Sequence, residues 1–309
     1  MRKWIAAVVL SVLFVLPCSA GDIVVGSFNI EWFGHGNHPR DGEQIALLAN
    51  YIKSLEVDVL ACQEINPNGD KSENGISDWR DLTEALGEHY EAWYGSTGSS
   101  QRLAFIWRTD RVQLSDVGEL KDVEREEVSG TNSRTFPRRP LTAFVKSLDG
   151  GVDFRIVTVH LYWSVDKCRY QEAAQLNRWA KDYLASNEDD DLLIIGDCNT
   201  KPLGADETGK SKTIKNLVAD DVLECISIDR DEWTTPESEE RYDHAFLSGH
   251  LGETTYIEDS WDVRREVVEA YPYQYKRDIS NHVPVSLRLA DEDNDSQEPG
   301  DWGEGGPED

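Results

Sequence analysis

Apolar residues follow two spacings along this chain: continuous runs typical of buried strands, and a repeat every three to four residues typical of helices. The runs predict strands over residues 22–30, 57–65, 103–107, 112–120, 141–148, 154–162, 192–196, 245–247 and 283–289. The helical repeat predicts three helices. The first begins at Asp41, which can form a capping box with Gln44, and the others cover residues 77–89 and 167–184.

The body of the chain shows no division into separate units. No internal repeat of fixed period and no low-complexity linker interrupts residues 22–290. Continuous apolar strands need cover on both faces, so we expect them in the middle of packed sheets. We therefore predict one domain over residues 21–290 with an α/β (α+β) fold, in which two mixed β-sheets pack as a sandwich with helices on the outer faces.

The N-terminal end departs from this pattern. Arg2 and Lys3 precede an apolar run over residues 4–16, and Ala20 ends a stretch of small residues, so residues 1–20 are predicted to be a cleaved signal peptide. The run is shorter than the roughly 20 apolar residues of a membrane span. An uncleaved anchor or a lipid anchor at Cys18 is the alternative. We expect a secreted or periplasmic monomer without stable membrane association.

The C-terminal end is acidic and almost without apolar residues. Residues 291–309 carry nine acidic residues and no basic one. Such a segment buries too little apolar surface to offset the conformational entropy that the chain loses on ordering. We therefore predict a disordered, solvated tail over residues 291–309.

Composition and charge narrow the function classes. The 309 residues are 39% hydrophobic, and 59 Asp+Glu against 31 Lys+Arg give a net charge of −28. The apolar content excludes a wholly disordered protein, and the charge excludes nucleic-acid binding through a dominant basic surface. An anionic substrate would need local cations or metal ions. After the signal peptide, Cys62, Cys168, Cys198 and Cys225 are either buried free thiols or two disulfides in one of three pairings.

Polar residues cluster where the apolar strands begin or end. One polar residue after a strand usually forms a turn. Several clusters rich in Asp, Glu, His and Asn instead predict one shared site, because polar groups beside apolar strands are costly unless they are paired. The clusters are Asn29 with Glu31, Gln63 with Glu64, His160, Asp197 with Asn199, Asp243 with His244, and Asn281 with His282.

The order and spacing of these clusters resemble the motifs of the endonuclease/exonuclease/phosphatase superfamily. The segment Phe-Asn-Ile-x-x-Phe-Gly at residues 28–34 is most similar to the pancreatic-type deoxyribonuclease branch. The resemblance extends over residues 24–289. It implies the deoxyribonuclease-like four-layer fold and a metal-dependent phosphoric ester hydrolase.

The resemblance also implies a metal site. Glu64 would be the principal ligand of Mg²⁺ (or Mn²⁺ or Ca²⁺), because hard cations prefer oxygen ligands. Asn29 would hold Glu64 or the metal's waters, and Glu31 and Asn281 would complete the metal-binding set. The family usually has an aspartate at the position of Asn281, so this chain has one negative charge fewer for a second metal ion.

The remaining motif residues would act on the phosphate. Asp197 would orient or deprotonate the attacking water, and Asn199 would donate its amide to the phosphate. His282 would contact the scissile phosphate, with Asp243 accepting a hydrogen bond from its other ring nitrogen. His160 would be the second imidazole, bonding a phosphate oxygen or acting as a general acid.

The resemblance also implies roles for an arginine and a glutamine near these motifs. An arginine just before a proline contacts phosphate in the family, and Arg138 or Arg139 corresponds to it, with Arg138 favoured. Gln101 stands where the deoxyribonuclease branch has a carboxylate that supports the first histidine. His160 is therefore expected to be less basic than in that branch.

The motifs are compatible with three classes of function. The leading hypothesis is a secreted nuclease that hydrolyses DNA, with RNA as a further substrate. One alternative is a phosphatase or phospholipase C acting on inositol phosphates or sphingomyelin, and another is a non-catalytic binding protein on the same fold. Trp32-Phe33 and Tyr162-Trp163 would either contact a membrane or stack on bases.

Overall fold

A computed structural model describes residues 21–35, 40–67, 77–186, 190–201, 211–228 and 232–292. Its strands are β1 (Ile23–Phe33), β2 (Val59–Ile65), β3 (Tyr90–Tyr94), β4 (Arg102–Arg108), β5 (Val112–Glu119), β6 (Leu141–Ser147), β7 (Asp153–His160), β8 (Leu192–Asp197), β9 (Leu223–Cys225), β10 (Asp243–Ser248), β11 (Asp262–Val263) and β12 (Val285–Leu289). Its helices are α1 (Gly42–Ser54), α2 (Asp78–Leu86), α3 (Asp166–Ala185), α4 (Lys212–Leu217), α5 (Gly249–Thr254), α6 (Glu266–Ala270) and α7 (Pro272–Asp278). The predicted signal peptide lies outside the described residues.

The strands form two mixed six-stranded sheets, in the orders β11-β12-β1-β2-β4-β3 and β5-β6-β7-β8-β10-β9. Each sheet has a central parallel pair, β1 with β2 in the first and β7 with β8 in the second. The carboxyl ends of two parallel strands meet at the same edge of a sheet. Since β12 runs antiparallel to β1, and β10 runs antiparallel to β8, the starts of β12 and β10 reach those same edges.

Apolar side chains between the two sheets form the main core. Phe28 and Phe105 of the first sheet belong to the same buried cluster as Phe154 and Ile195 of the second, and all four are fully buried. Each such side chain contributes about 1.5–3 kcal/mol when it leaves water. The predicted sandwich of two mixed sheets is confirmed.

A second cluster joins the second sheet to helices. Val159 and Ile194 pack with Ala173 and Leu176 of α3 and with residues of α4. The strands of the central pairs therefore have apolar residues on both faces, which is why they appear in the sequence as continuous runs rather than alternating ones.

The first two predicted helices differ in how well their ends are predicted. At the start of α1, Asp41 and Gln44 form both hydrogen bonds of the capping box. The prediction for residues 77–89 runs too far, because α2 ends at Leu86, where Gly87 adopts a φ of 97°. The chain then forms β3, which the apolar pattern does not predict. Glycine permits this left-handed conformation at little cost, so it stops the helix.

The predicted acidic tail begins later than residue 291. The carboxylate of Asp291 is buried and accepts hydrogen bonds from the Ser147 hydroxyl at 2.6 Å and the Gly150 amide at 3.0 Å. Asp291 therefore belongs to the fold, and its acidic neighbours in the sequence conceal this role. Residues 293–309 lie outside the described residues.

Two further observations concern the cysteines and the membrane. Cys62, Cys168, Cys198 and Cys225 are all buried free thiols. This agrees with the first of the two alternatives that the sequence leaves open. In the part of the chain that the structure describes, no helix is both long enough and apolar enough to cross a membrane.

Candidate active site

The strand ends at the site leave regular β geometry. Glu31, Trp32, Glu64 and Asn199 have positive φ angles of 39°, 51°, 63° and 47°. The pairing of β1 with β2 shifts register after Asn29. Non-glycine residues rarely adopt such angles, and those that do cluster at functional sites, where the surrounding structure compensates for the strain. The local distortions re-aim side chains that a regular strand would direct into the sheets.

Asn29 connects the two sheets through its side chain. Its Nδ2 donates to Glu64 Oε1 at 3.1 Å and to Asp197 Oδ2 at 3.0 Å, while its Oδ1 accepts from the Glu31 amide at 3.0 Å. The side chain thus holds one carboxylate from each sheet. Of the two tasks that the resemblance implies for Asn29, this geometry corresponds to holding Glu64.

Two imidazoles face the same Asp197 oxygen. Asp197 Oδ2 lies 3.5 Å from His160 Nε2 and 3.7 Å from His282 Nε2. His160 Nε2 is also 3.9 Å from Glu64 Oε1. On the other side of the His282 ring, Nδ1 lies 2.9 Å from Asp243 Oδ2. All of these residues except Glu64 are buried.

The charges of the two imidazoles differ. Burial by itself would lower the pKa of His282, but the carboxylates of Asp243 and Asp197 outweigh it and raise that pKa to about 9. Burial, together with Arg138 and the charged His282, lowers the pKa of His160 well below its ordinary value. At neutral pH the site therefore holds one imidazolium and one neutral imidazole.

Asp197 is a carboxylate suited to take up a proton. Burial raises its pKa to about 6, and the nearby Asp243 charge adds to this, while His282 acts in the opposite direction. A base whose pKa lies near the working pH is ionised and can still accept a proton effectively. Its Oδ1 accepts from the Asn199 amide at 2.8 Å, which fixes the orientation of the carboxylate.

Main-chain anchors hold His282 in place. The Ser280 hydroxyl donates to the Asn29 carbonyl at 2.7 Å and accepts from the His282 amide at 3.0 Å. The Tyr275 hydroxyl donates to the His282 carbonyl at 2.9 Å. The sequence motif indicates the histidine but not Tyr275, whose role appears only when α7 is placed against the loop.

Glu64 has the chemistry of a ligand for a hard cation. Its side chain is 13% exposed, and its two oxygens each accept one hydrogen bond, from Asn29 Nδ2 and from the Trp32 amide. A carboxylate offers about four lone-pair positions, so capacity for a metal remains. Mg²⁺ is often held by one or two carboxylates plus substrate phosphate and water, and Glu64 fits that pattern.

The other two predicted metal residues, Glu31 and Asn281, differ from Glu64 in their surroundings. The Glu31 carboxylate interacts electrostatically with the Arg40 guanidinium, whose pKa burial lowers to about 10. Asn281 is half-buried next to His282, and no hydrogen bond in the described part joins its side chain to the site.

A compact group of potential metal ligands also lies outside the site. Among the described residues, only Asp190, Asp191 and His250 place three ligand atoms within 4.8 Å of one another. They adjoin the start of β8, whereas Asp197 is at its end.

The two candidate phosphate-binding arginines point in different directions. Arg138 is buried, and its guanidinium donates to the carbonyls of His160 at 2.8 Å and Leu161 at 3.3 Å. Arg139 donates instead to the carbonyls of Leu120 and Lys121, away from the imidazoles. The phosphate-binding role of either arginine stays a prediction, and these hydrogen bonds give Arg138 a structural task behind the site.

Gln101 does not support His160. Its Oε1 accepts from Arg138 Nη1 at 3.1 Å. His160 Nδ1 is buried, with no hydrogen-bond partner in the described part of the chain. The lowered pKa of His160 agrees with the expectation that it is a weak base, although the main physical cause is burial.

Asn199 and Glu172 both hold the segment after β7. Asn199 Nδ2 donates to the Leu161 carbonyl at 3.0 Å. Glu172 of α3 accepts hydrogen bonds from the amides of Tyr162 and Phe136, each at 2.7 Å. The sequence motifs do not predict this role. Burial raises the pKa of Glu172 to about 7. The available signal was a carboxylate next to Ala173, on the apolar face of a predicted helix.

Solved structures share this fold across most of the chain. An endonuclease/exonuclease/phosphatase protein from Bacteroides vulgatus is 18% identical, with a TM-score of 0.62 over 87% of this chain and 98% of that one. The human Nocturnin catalytic domain with bound sulfate is 15% identical (TM-score 0.59; 87% and 93%). A mannosyl-6-phosphatase from Bacteroides thetaiotaomicron is 19% identical (TM-score 0.56; 87% and 99%).

These likenesses confirm the fold that the sequence resemblance implies, that of the endonuclease/exonuclease/phosphatase superfamily. No family model and no curated protein matches the chain. The closer resemblance to the pancreatic-type deoxyribonuclease branch stays a prediction.

Proposed function

We propose that this protein is a secreted or periplasmic, divalent-metal-dependent phosphodiesterase that hydrolyses nucleic acid, with DNA as its main substrate and RNA as a further one. The observation that carries the proposal is the convergence of two imidazoles on one carboxylate oxygen, at 3.5 and 3.7 Å, beside the Glu64 carboxylate. The shared fold with phosphoesterases supports it.

The charges of the site suit attack on an anionic ester. An attacking hydroxide and a phosphodiester repel each other, so catalysis needs positive charge where the transition state accumulates negative charge. The His282 imidazolium, held by Asp243, supplies one such charge at neutral pH. A divalent cation on Glu64 would supply another and would polarise the phosphate.

The buried carboxylate and the neutral imidazole then have separate tasks: the carboxylate accepts a proton, and the imidazole forms a hydrogen bond. Asp197, ionised at neutral pH, orients the attacking water and takes its proton. His160 is neutral, so its Nε2 is available as a hydrogen-bonding partner for a phosphate oxygen or the leaving oxygen. General base catalysis of this kind contributes about 10²–10⁴-fold.

A second candidate function is a phosphomonoesterase that acts on a small phosphate ester. The structural likeness to the mannosyl-6-phosphatase favours it, because that protein shares the fold over most of its length. The phosphorus of a diester carries a second ester group besides the leaving group, whereas the phosphorus of a monoester carries only the leaving group. Comparing diester and monoester substrates therefore separates them.

The test uses the whole chain as it is exported by an expression host. Plasmid DNA, RNA, methyl p-nitrophenyl phosphate, p-nitrophenyl phosphate and sphingomyelin vesicles are each offered with Mg²⁺ or with EDTA. Metal-dependent turnover of the nucleic acids and of the diester, without vesicle or monoester turnover, is the expected result. The absence of metal-dependent turnover with every substrate would overturn the proposal in favour of a binding protein.

Two substitutions and a control test the residue roles. His282→Ala and Glu64→Ala should each lower diester turnover by at least about 100-fold. Leu148→Ala removes a side chain that is 52% exposed beyond the end of β6, and it should leave turnover unchanged. Wild-type turnover in either site variant would contradict the assignment. N-terminal sequencing of the exported protein tests the proposed cleavage after Ala20.

A further inference from the structure

Trp163 presents an exposed indole shortly after the strand that carries His160. It follows His160, the last residue of β7, by three positions, and it is 70% exposed. Tryptophan side chains are on average highly buried, because water contact with the large apolar ring is unfavourable. An exposed indole at the end of the strand that carries His160 therefore needs a cause.

The backbone that leads from His160 to the indole is held from both sides. Arg138 donates to the carbonyls of His160 and Leu161, and the Leu161 amide donates to the Asp197 carbonyl at 2.9 Å. The Tyr162 amide donates to the buried Glu172 carboxylate at 2.7 Å. The first half of the segment is thus fixed by groups that are themselves buried.

The second half is fixed by α3 and by a neighbouring loop. Arg169 Nη1 donates to the carbonyls of Tyr162 at 2.8 Å and Trp163 at 3.1 Å. The Tyr162 hydroxyl donates to the Ser133 hydroxyl at 2.9 Å. Exposed loop tips are ordinarily mobile. Here several charged side chains hold the main chain of the tip, so the backbone that carries the indole is preorganised and loses little freedom on binding.

The N-terminal parts of α3 and α4 carry another aromatic ring and a cation. Lys212 Nζ lies 4.8 Å from the centre of the Tyr170 ring. The hydroxyl of Ser211, which caps α4, lies 3.2 Å from that of Thr200, the residue after Asn199. A ring and an ammonium group therefore adjoin the edge that carries Asp197.

From this geometry we propose that Trp163 is a stacking platform for the base next to the scissile phosphate, so that the preferred substrate is single-stranded nucleic acid. The inference rests on the proposed phosphodiesterase function. An indole can stack on any base, but only where the face of that base is free. In a duplex the neighbouring base pairs cover both faces, so an unpaired strand is bound more tightly than a duplex.

The test measures binding of a fluorescein-labelled single-stranded oligonucleotide in EDTA, which prevents turnover. Trp163→Ala is expected to weaken binding by about 5- to 150-fold, the range that base–aromatic stacking supplies. Trp163→Phe should retain most of the affinity, and Leu148→Ala all of it. Equal affinity of the wild type for single strand and duplex would contradict the proposal.

A substrate change provides the matched control for the amino-acid change. An oligonucleotide with abasic residues around the central phosphate should bind the wild type more weakly, by the same factor as Trp163→Ala weakens binding of the intact strand. Binding to Trp163→Ala should be unaffected by the missing bases. If abasic and intact strands lose affinity equally on substitution, the indole does not stack on a base.

Two outcomes separate this inference from the proposed function. If the wild type hydrolyses methyl p-nitrophenyl phosphate but Trp163→Ala binds oligonucleotide normally, only the inference is wrong. If no diester is hydrolysed, the proposed function is wrong. If Trp163→Ala abolishes binding to sphingomyelin vesicles and leaves oligonucleotide binding intact, the indole serves a membrane and the inference is overturned.

Discussion

Asp243→Asn tests the electrostatic basis of the site by removing one charge and almost no atoms. Asp243 Oδ2 lies 2.9 Å from His282 Nδ1, and asparagine can still accept that hydrogen bond through its carbonyl oxygen. Its amide group would take the place of Oδ1, which has no hydrogen-bond partner in the described residues. The variant therefore separates the contribution of the charge from that of the contact.

The expected magnitude follows from the pKa of His282. The rise from 6.5 to about 9 corresponds to about 3 kcal/mol in favour of the imidazolium, at about 1.4 kcal/mol per tenfold change. Two unit charges about 4 Å apart attract by about 4 kcal/mol at an effective dielectric constant of about 20. Loss of the Asp243 charge is therefore large enough to cancel the whole rise, and His282 should be mainly neutral at neutral pH.

The assay is an NMR titration of histidine-labelled protein in EDTA, with diester turnover measured across the same pH range. The chain has seven histidines, so His282→Gln identifies the signal. Asp191→Asn is the control, because Asp191 Oδ1 lies 2.8 Å from His250 Nδ1 at the other end of β8. The control should leave the titration of His282 unchanged, whereas Asp243→Asn should lower its pKa and reduce turnover by at least about 100-fold at neutral pH.

Two results would refute the reasoning. If His282 in Asp243→Asn still titrates near the wild-type pH, Asp243 is not the source of the raised pKa. If the pKa falls but turnover at neutral pH is unchanged, catalysis does not need the imidazolium. Both measurements are made on one protein preparation, with EDTA for the titration and Mg²⁺ for turnover, and a misfolded variant is recognised by its other histidine signals.

Three further predictions concern stability. The pKa of His282 is raised in the folded state, so the imidazolium stabilises the fold fully below about pH 6.5, and this stabilisation is lost as pH rises through about 9. In urea unfolding, Asp243→Asn should therefore lower the free energy of unfolding most near about pH 6 and less above about pH 9. A loss that does not depend on pH would contradict this coupling between protonation and stability. Gly196→Ala should destabilise by about 1–3 kcal/mol or more, because φ is 151° and a Cβ would lie 2.2 Å from the Val159 carbonyl oxygen, whereas Gly42→Ala, with open space around it, should not. A chain ending at residue 290 should have a free energy of unfolding about 1–3 kcal/mol lower than a chain ending at residue 292, because it lacks the buried Asp291 acceptor. Equal stability of the two chains would mean that Asp291 belongs to the tail.

Local signals determined much of the secondary structure. The central strands are apolar on both faces, so they appear as continuous runs whatever their partners are. The Asp41 capping box is complete within four residues, so the sequence predicts the start of α1 correctly. The short elements β9, β11 and α4–α7 are too brief for a period to show. These short elements are stabilised by packing against longer neighbours, and a local sequence pattern does not show which neighbours they pack against.

The sequence by itself also determined which residue types meet at the site. Motif order indicated Glu64, His160, Asp197, Asp243 and His282, and the parallel pairs β1–β2 and β7–β8 bring their strand ends together. Only the tertiary structure decided what each side chain contacts.

The reason is the distance along the chain between partners. Asn29 and Asp197 are 168 positions apart yet share a hydrogen bond. The tasks of Arg138, Glu172 and Asp291 likewise depend on which distant main-chain groups surround them. Apolar spacing and caps act within a few residues, so they can be predicted from the sequence. The pairing of buried polar groups depends on how the two sheets and α3 pack together, so these pairs form only in the folded protein.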